Sequence, residues 1–231
     1  VASFNPMSHL IEWQEVQAVI RKPHPTGRMV TYDGRGLKFS VTPDHRMLVR
    51  NLGRGLWRVA LAEDIECKGS LSYMVAAQAA SRGCNKTDDE LALAGWLTAE
   101  GHFRTDSNMI EIALSRSSPY WREMGELLNR MGLLYSEWDH PSKANTAAYR
   151  VLAPGAARIR ETIQPSKLIP KWLKTASPTQ FRKWIAAFGK GDGNLKGGET
   201  FKMMVGQKEE SIIDDLQAIC VVNRMSAVKS D

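Results

Sequence analysis

The sequence predicts an α+β fold in two parts, a β-rich N-terminal part and a larger part built from two related units of helices and strands. Three observations support this prediction. Branched and aromatic residues lie between turn signals up to about residue 80, the polar segment CNKTDDE then leads into an apolar helix, and the same order of elements afterwards occurs twice. A composition of 43% hydrophobic and 24% charged residues is ordinary for a globular protein.

The N-terminal part is expected to contain short strands separated by turns. The segments LIEWQEVQAVI, RMVTYDG and LKFSVT are rich in β-branched and aromatic residues, and Lys22-Pro23 and Asp33-Gly34 are turn signals between them. MLVR and LWRVAL predict further strands. We place the domain boundary between roughly residues 76 and 88, which gives domains at 1–82 and 83–231.

The first copy of the repeated unit is expected over about residues 88–152. Its first helix has Thr87 or Asp88 as the N-cap, and the strands HFRT and MIEIALSR follow it. A second helix from Pro119 to Met131 and the strands LLYSEW and AAYRVL complete an αββαβ-type order.

The second copy is expected over about residues 178–231. It contains a helix that ends near Gly193, the strands NLKGG and TFKMMVGQ, a helix from Glu209 to Val222 and RMSAVKS as a strand. AAYRVL has no counterpart before the chain stops, so we expect this copy to be truncated at its C-terminus. Two copies in one chain predict a pseudo-twofold pair within a monomer.

The first helices of the two copies end in the same way. LAGWLTAEGHF places Glu100-Gly101 at the end of one helix, and IAAFGKGDGNL places Asp192-Gly193 at the end of the other, 92 residues later. Both helices carry small residues four positions apart, which share a helix face and allow two backbones to approach closely. These small residues are Gly95 with Ala99 and Ala187 with Gly191.

Parallel packing of these helices would bring the two acids together. Gly101 and Gly193 would then supply left-handed turns that end each helix. Glu100 and Asp192 repel one another and the negative helix ends, a cost that a divalent cation between them relieves. Oxygen ligands with retained waters suit Mg²⁺ or Mn²⁺, and such a cation activates water against a phosphodiester.

The two segments resemble the paired LAGLIDADG (DOD-type) motifs of intein-associated homing endonucleases. The first departs little from the motif and has Glu100 at the essential acidic position, whereas the second is looser, with Gly189 and Lys190 unusual. The resemblance implies a Mg²⁺-dependent, site-specific endonuclease that cuts double-stranded DNA under saddle-shaped sheets. It implies that Glu100 and Asp192 are catalytic metal ligands, with Gly101 and Gly193 at the metal.

The same resemblance implies a catalytic lysine and a set of DNA contacts. Lys167 in KLIPKWL is similar to the lysine of a Lys-x-Ile-Pro element that reaches the cleavage centre. The DNA contacts would come from alternate residues on the strands of both copies. These candidates are Arg104, Glu111, Ser115, Arg116, Lys196, Lys202 and Gln207.

The charge distribution suits a polyanionic partner such as DNA. The net charge is +6, and the segment from Lys143 to Lys190 holds ten Lys and Arg residues against one Glu. A solvated basic surface with no partner explains the same composition equally well.

The N-terminal part resembles a partial Hint domain, the self-splicing fold of inteins and hedgehog proteins. Thr42-Pro43-Asp44-His45 is similar to its Thr-x-x-His element, which implies that His45 labilises a scissile peptide beside Thr42. Val1 and Asp231 are not the Cys or Ser and the Asn that splicing requires, so we expect an intein trimmed at both ends that does not splice by the standard route.

The remaining features place limits on function. No apolar run is long enough to cross a bilayer, no signal peptide opens the chain, and the three cysteines lack metal-ligand spacing, so we expect a cytoplasmic protein. Three alternatives stay open. They are a LAGLIDADG-type protein that binds DNA or RNA without cutting it, a fragment of an intein whose main role is splicing, and two ordinary buried helices with Glu-Gly and Asp-Gly turns.

Overall fold

The computed structural model describes residues 1–21, 27–34, 37–52, 55–65, 71–81, 83–103, 108–140, 144–163, 168–196 and 202–229. Within these ranges the fold is α+β, as the sequence predicts. The chain forms two compact units, Val1–Ala80 with Leu216–Asp231, and Ser81–Asp215. Residues 216–231 therefore belong with the N-terminal unit, whereas the predicted division at residues 82 and 83 assigned them to the second domain.

The first unit consists mainly of short strands. In chain order they are β1 (Ala2–Asn5), β2 (Leu10–Trp13), β3 (Val30–Gly34), β4 (Leu37–Val41), β5 (Arg46–Asn51), β6 (Arg58–Leu61), β7 (Leu71–Tyr73) and β8 (Gln78–Ala79). A single-turn helix, α1 (Ala62–Ile65), lies between β6 and β7. These strands form the sheets β1-β2-β8, β3-β4 and β6-β5-β7. Within the described ranges the pairs are antiparallel except for β2 with β8.

One predicted strand is shorter than the sequence suggests. LIEWQEVQAVI forms a strand only over Leu10–Trp13, and the residues that follow, up to Arg21, have no regular structure. Val19 and Ile20 remain 77% and 80% exposed. Branched residues favour strands through packing on a pleated, half-buried surface, and these residues have no such surface.

The second unit begins with a helix and alternates helices with strands. Its elements are α2 (Asp88–Glu100), β9 (Gly101–Phe103), β10 (Ile110–Ser115), α3 (Trp121–Arg130), β11 (Tyr135–Asp139), β12 (Thr146–Val151), α4 (Ala153–Thr162), a 3₁₀ helix (Lys171–Thr175), α5 (Pro178–Asp192), β13 (Gly193–Lys196), β14 (Lys202–Val205) and the start of α6 (Glu210–Val222). The predicted helices and strands of the first copy are confirmed to within a few residues. Helix α4 was not predicted.

The second copy departs from the predicted order after α6. Its first hairpin, β13 with β14, and α6 are confirmed, but RMSAVKS forms no strand in its described residues. The backbone of Arg224 has φ of 63°, and the Met225 N–H donates to the Cys220 carbonyl at 2.9 Å. This left-handed turn ends α6 and turns the chain away from the extended path that a strand needs.

Capping boxes begin both α2 and α5. Thr87 accepts a hydrogen bond from the Glu90 N–H at 3.2 Å, and the Glu90 carboxylate accepts one from the Thr87 N–H at 2.8 Å. Ser177 and Gln180 form the equivalent pair at α5. Thr87, rather than Asp88, is therefore the N-cap of α2.

Gln180 also joins the N-terminal ends of the two helices. Its amide oxygen accepts from the Cys84 N–H at 2.9 Å, and its amide nitrogen donates to the Cys84 carbonyl at 2.7 Å. Cys84 lies only three residues before the N-cap of α2, Thr87. The two helices therefore start side by side and run in the same direction.

The predicted contact between small residues is confirmed along the helix pair. A methyl group on Gly95 would lie 2.4 Å from the Trp184 carbonyl oxygen, so the backbone of α2 touches the backbone of α5 at this point. A methyl group on Gly191 would lie 2.6 Å from the Ala99 Cβ. Because α2 buries residues around its whole circumference, it is the central helix of the unit.

The strands of the first copy form one antiparallel sheet in the order β11-β12-β10-β9. One face is buried and includes Ile110, Ile112 and Val151, each fully buried. The intervening residues of β10 are partly exposed and define an outward face. This alternation fixes which side chains of the sheet a partner can reach.

Replacing Gly95 with alanine tests the backbone contact between α2 and α5. The added methyl group would lie 2.4 Å from the Trp184 carbonyl oxygen, so the helices must separate. We expect a loss of about 2 kcal/mol in the free energy of unfolding, although alanine has the better helix propensity.

Gly206→Ala is the matched control, because no atom of the described residues lies within 4 Å of its added methyl group. Its free energy of unfolding should stay within about 0.5 kcal/mol of wild type. Urea unfolding measures both variants, and a Gly95→Ala protein as stable as wild type would contradict the contact.

Candidate functional site

Each of the two central helices passes directly into a strand at its glycine. Gly101 has φ of −72° and ψ of 138°, and Gly193 has φ of −108° and ψ of 148°. Both conformations are extended, so the predicted left-handed turns at these glycines are wrong. The Gly101 N–H donates to the Leu97 carbonyl and the Gly193 N–H to the Gly189 carbonyl, which completes the last helical turn in the same way in both copies.

Close approach, rather than left-handed geometry, explains the two glycines. A methyl group on Gly101 would lie 2.4 Å from the Leu97 carbonyl oxygen, and one on Gly193 would lie 2.7 Å from the Gly189 carbonyl oxygen. The strand leaves each helix so tightly under its last turn that a side chain at this position has no room.

The two acids lie at the same end of the helix pair. Glu100 is the last residue of α2, and its Oε1 would lie 3.4 Å from a methyl group on Gly191. Asp192 follows Gly191 and is the last residue of α5. Both acids are half-buried, so solvent reaches them. The predicted meeting of the helix ends is therefore confirmed.

Two further side chains surround this end of the pair. The Gln207 amide donates to the Asp192 Oδ2 at 2.6 Å, which orients that carboxylate. Lys190 is held by α3, because its ammonium contacts the Glu123 Oε1 at 2.5 Å and lies 5.3 Å from the centre of the Tyr120 ring. Lys190, which lies two residues before Asp192 in the sequence, thus forms an ion pair with Glu123.

The donors at the helix ends suit a hard divalent cation. Both acids offer carboxylate oxygens, and the negative helix ends add to the attraction for a cation. In the part of the chain that is described, no group of three or more His, Cys, Asp or Glu side chains is arranged to hold a metal ion. A cation here would rest on the two carboxylates and complete its shell with water or phosphate oxygens, which is typical of Mg²⁺.

The outward face of the β11-β12-β10-β9 sheet, which we call the first sheet, carries two of the predicted DNA contacts. In the strand register Glu111 pairs with Arg150 and Ser115 pairs with Thr146, both on the side opposite the buried isoleucines. This face contains a depression of about 420 Å³. Its lining residues are His102, Glu111, Ala113, Trp138, His140, Thr146, Ala147 and Ala148.

Arg150 and Trp138 are site residues that the sequence did not single out. The Arg150 Nε donates to the Glu111 Oε1 at 2.7 Å, and the guanidinium lies 4.2 Å from the centre of the Trp138 ring. The only sequence signal is the alternation within AAYRVL, because the pairing depends on the register of β10 with β12.

Arg116 lies elsewhere than the outward face. Its Nε donates to the Asp139 Oδ1 at 2.8 Å, it contacts Glu137, and its guanidinium lies 4.4 Å from the centre of the Trp121 ring. Hydrogen bonding to Arg116 holds the pKa of Asp139 below its usual value. Gln207, also a predicted DNA contact, donates a hydrogen bond to Asp192.

Several predicted residues lie outside the described structure. Lys167 and Arg104 are not among the described residues. Lys196 and Lys202 are described only in their backbone, where they pair with each other at the end of the β13-β14 hairpin. Their assignment to catalysis and DNA contact stays a prediction.

The predicted splicing residues Thr42 and His45 form a turn before β5. The His45 N–H donates to the Thr42 carbonyl at 3.0 Å, and the Ala62 N–H donates to the His45 carbonyl at 2.9 Å. The His45 side chain is exposed. The turn places the two residues together through backbone hydrogen bonds, and their splicing role stays a prediction.

Comparison with known proteins returned no match to a protein-family model and none to a curated protein. The family resemblances therefore rest on the residues quoted above. Among the described residues, no helix has the length and apolar character required to cross a membrane.

The ion pair of Arg116 with Asp139 predicts a pH dependence of stability. Because the folded state lowers the pKa of Asp139, the pair stabilises the fold above the unfolded pKa of about 4 and loses this contribution as pH falls through the lower, folded value. We expect the melting temperature of wild type to exceed that of Asp139→Asn at neutral pH and the gap to close in acid. Thermal melts across this range measure the gap, and a constant gap would contradict the pairing.

Proposed function

We propose that this chain is an intein-type LAGLIDADG homing endonuclease, which makes site-specific double-strand cuts in DNA with Mg²⁺ or Mn²⁺ and carries a remnant of a Hint splicing domain. The observation that supports it most is the parallel helix pair whose C-terminal ends, carrying Glu100 and Asp192, lie together. Two like charges at two negative helix ends repel each other, and a bound cation offsets that cost.

The residues at the helix ends have distinct roles in this proposal. Glu100 and Asp192 bind the cation, and Gln207 orients the Asp192 carboxylate. Gly101 and Gly193 let each strand leave its helix tightly under the last turn, directly after the acid. The cation, when bound, lowers the pKa of a water molecule and stabilises the leaving oxygen of a phosphodiester. Lys167 is proposed to stabilise the negative charge that develops on the phosphate.

The outward face of the first sheet is proposed to lie along the DNA. The partly exposed residues Glu111, Ala113 and Ser115 alternate with buried ones along β10, so this sheet has a face that can enter the major groove. Glu111 and Arg150 pair across this face and orient each other for contact with bases. Because both copies belong to one chain, a monomer is proposed to supply the whole site in the cytoplasm.

DNA cleavage in the presence of Mg²⁺ tests the proposal. Duplexes with a randomised segment are first captured by the wild-type protein in EDTA and sequenced, and the enriched duplex is then incubated with protein and Mg²⁺. We expect wild type to cut both strands, and Glu100→Gln or Asp192→Asn to cut at least about a hundredfold more slowly while still binding.

Glu126→Gln is the matched control, because Glu126 is an exposed carboxylate on α3. It should cut at the wild-type rate. Binding without cutting in either Mg²⁺ or Mn²⁺ would favour a DNA-binding protein without nuclease activity. Unchanged cutting by both acid variants would overturn the assignment of the site.

Glu123 is expected to set how much Mg²⁺ the site requires. In Glu123→Gln the Lys190 ammonium loses its ionic partner and competes with the cation near the helix ends. We expect the Mg²⁺ concentration for half-maximal cutting to rise several-fold, and the double variant Glu123→Gln with Lys190→Met to return towards wild type. A Mg²⁺ requirement that is the same in all three proteins would contradict this role.

A further inference from the structure

The first unit contains a pocket that the proposed nuclease activity does not use. Its volume is about 370 Å³, within the range of small-molecule sites. All of its described lining residues belong to the first unit, and none of these belongs to the ends of α2 and α5 or to the outward face of the β11-β12-β10-β9 sheet. They are His9, Arg50, Trp57, Tyr73, Met74, Val75, Ala76, Ala77 and Arg224.

Among the described residues, two hydrogen-bond donors of this pocket are buried and have no acceptor. They are the Nε of Arg50 and the Nε1 of Trp57, and the Arg50 guanidinium lies 4.8 Å from the centre of the Trp57 ring. A buried donor that lost its water without gaining a partner destabilises the fold, so each such group needs a physical explanation. A ligand with acceptor atoms provides one for both.

The charges around the pocket favour an anion. Its described lining includes two arginines and a histidine and contains no acidic side chain. Tyr73 adds a neutral hydroxyl, since burial raises the pKa of its phenol. A guanidinium binds planar or tetrahedral oxyanions through paired, charge-assisted hydrogen bonds, which are stronger than those to a neutral acceptor.

Two of the basic lining residues occupy uncommon backbone conformations. His9 has φ of 57° and Arg224 has φ of 63°, a region that favours glycine and asparagine. Arg224 occupies the turn that ends α6, where glycine is the usual residue. A histidine and an arginine at two left-handed backbone positions therefore line the same pocket.

We infer that this pocket binds a small oxyanion carried on an apolar body, either a carboxylate or a phosphate monoester. Arg50 and Arg224 would bind the oxyanion, and the Trp57 N–H would donate to it after a small adjustment of its ring. Met74, Val75 and Ala76 provide apolar wall for the rest of the ligand. This inference goes beyond the proposed endonuclease and does not depend on it.

Binding of benzoate and phenyl phosphate to the whole chain tests the inference. Isothermal titration in EDTA, without DNA, separates this site from any cation at the helix ends. We expect saturable binding of one or both probes, with Arg224→Gln weakening it at least about tenfold and Arg50→Gln at least as much. If both probes bind, the pocket recognises an oxyanion of either kind. If only one binds, the result identifies the natural ligand as a carboxylate or as a phosphate monoester.

Arg58→Gln is the matched control, because Arg58 is exposed on β6 and does not line the pocket. It should bind like wild type. Arg224 is also exposed, so its replacement keeps the test valid if Arg50→Gln does not fold. Absence of binding by wild type, or equal affinity in Arg224→Gln and Arg58→Gln, would overturn the inference.

Discussion

The contact between the backbones of α2 and α5 is the constraint on which the second unit depends. Gly95 allows α2 to approach the Trp184 carbonyl, and Gly191 allows α5 to approach Ala99. Gln180 fixes the other end by bonding both backbone groups of Cys84. Because contacts at both ends fix the direction and the register of α2 against α5, the helix ends that carry Glu100 and Asp192 come together without a long loop to position them. The proposed chemistry follows from this arrangement of helices rather than from a preformed cluster of ligands.

Local sequence signals predicted much of this arrangement. The capping residues Thr87 and Glu90 are three positions apart, and the small residues are four apart, so each pattern lies within one turn of helix. The likeness of Glu100-Gly101 and Asp192-Gly193 then indicated that the two helices pack as equivalents. Such features are visible in sequence because they depend on neighbours along the chain.

Features that depend on distant neighbours were missed or wrongly predicted. Glycine after a helix usually supplies a left-handed turn, but at Gly101 the next strand begins at once and requires an extended backbone. The partnership of Arg150 with Glu111 depends on the register of two strands, and Arg116 is directed away by Asp139. The repeat also suggested a strand after α6 that the left-handed turn at Arg224 prevents.

The contact between helix backbones at Gly95 limits which substitutions this protein can accept during evolution. Where side chains fill a helix interface, shortening or lengthening them changes the distance between the helices. Gly95 has no side chain to shorten, so every substitution there adds atoms between α2 and α5. A substitution at Gly95 can therefore increase the distance between the helix ends that carry Glu100 and Asp192, but it cannot decrease that distance.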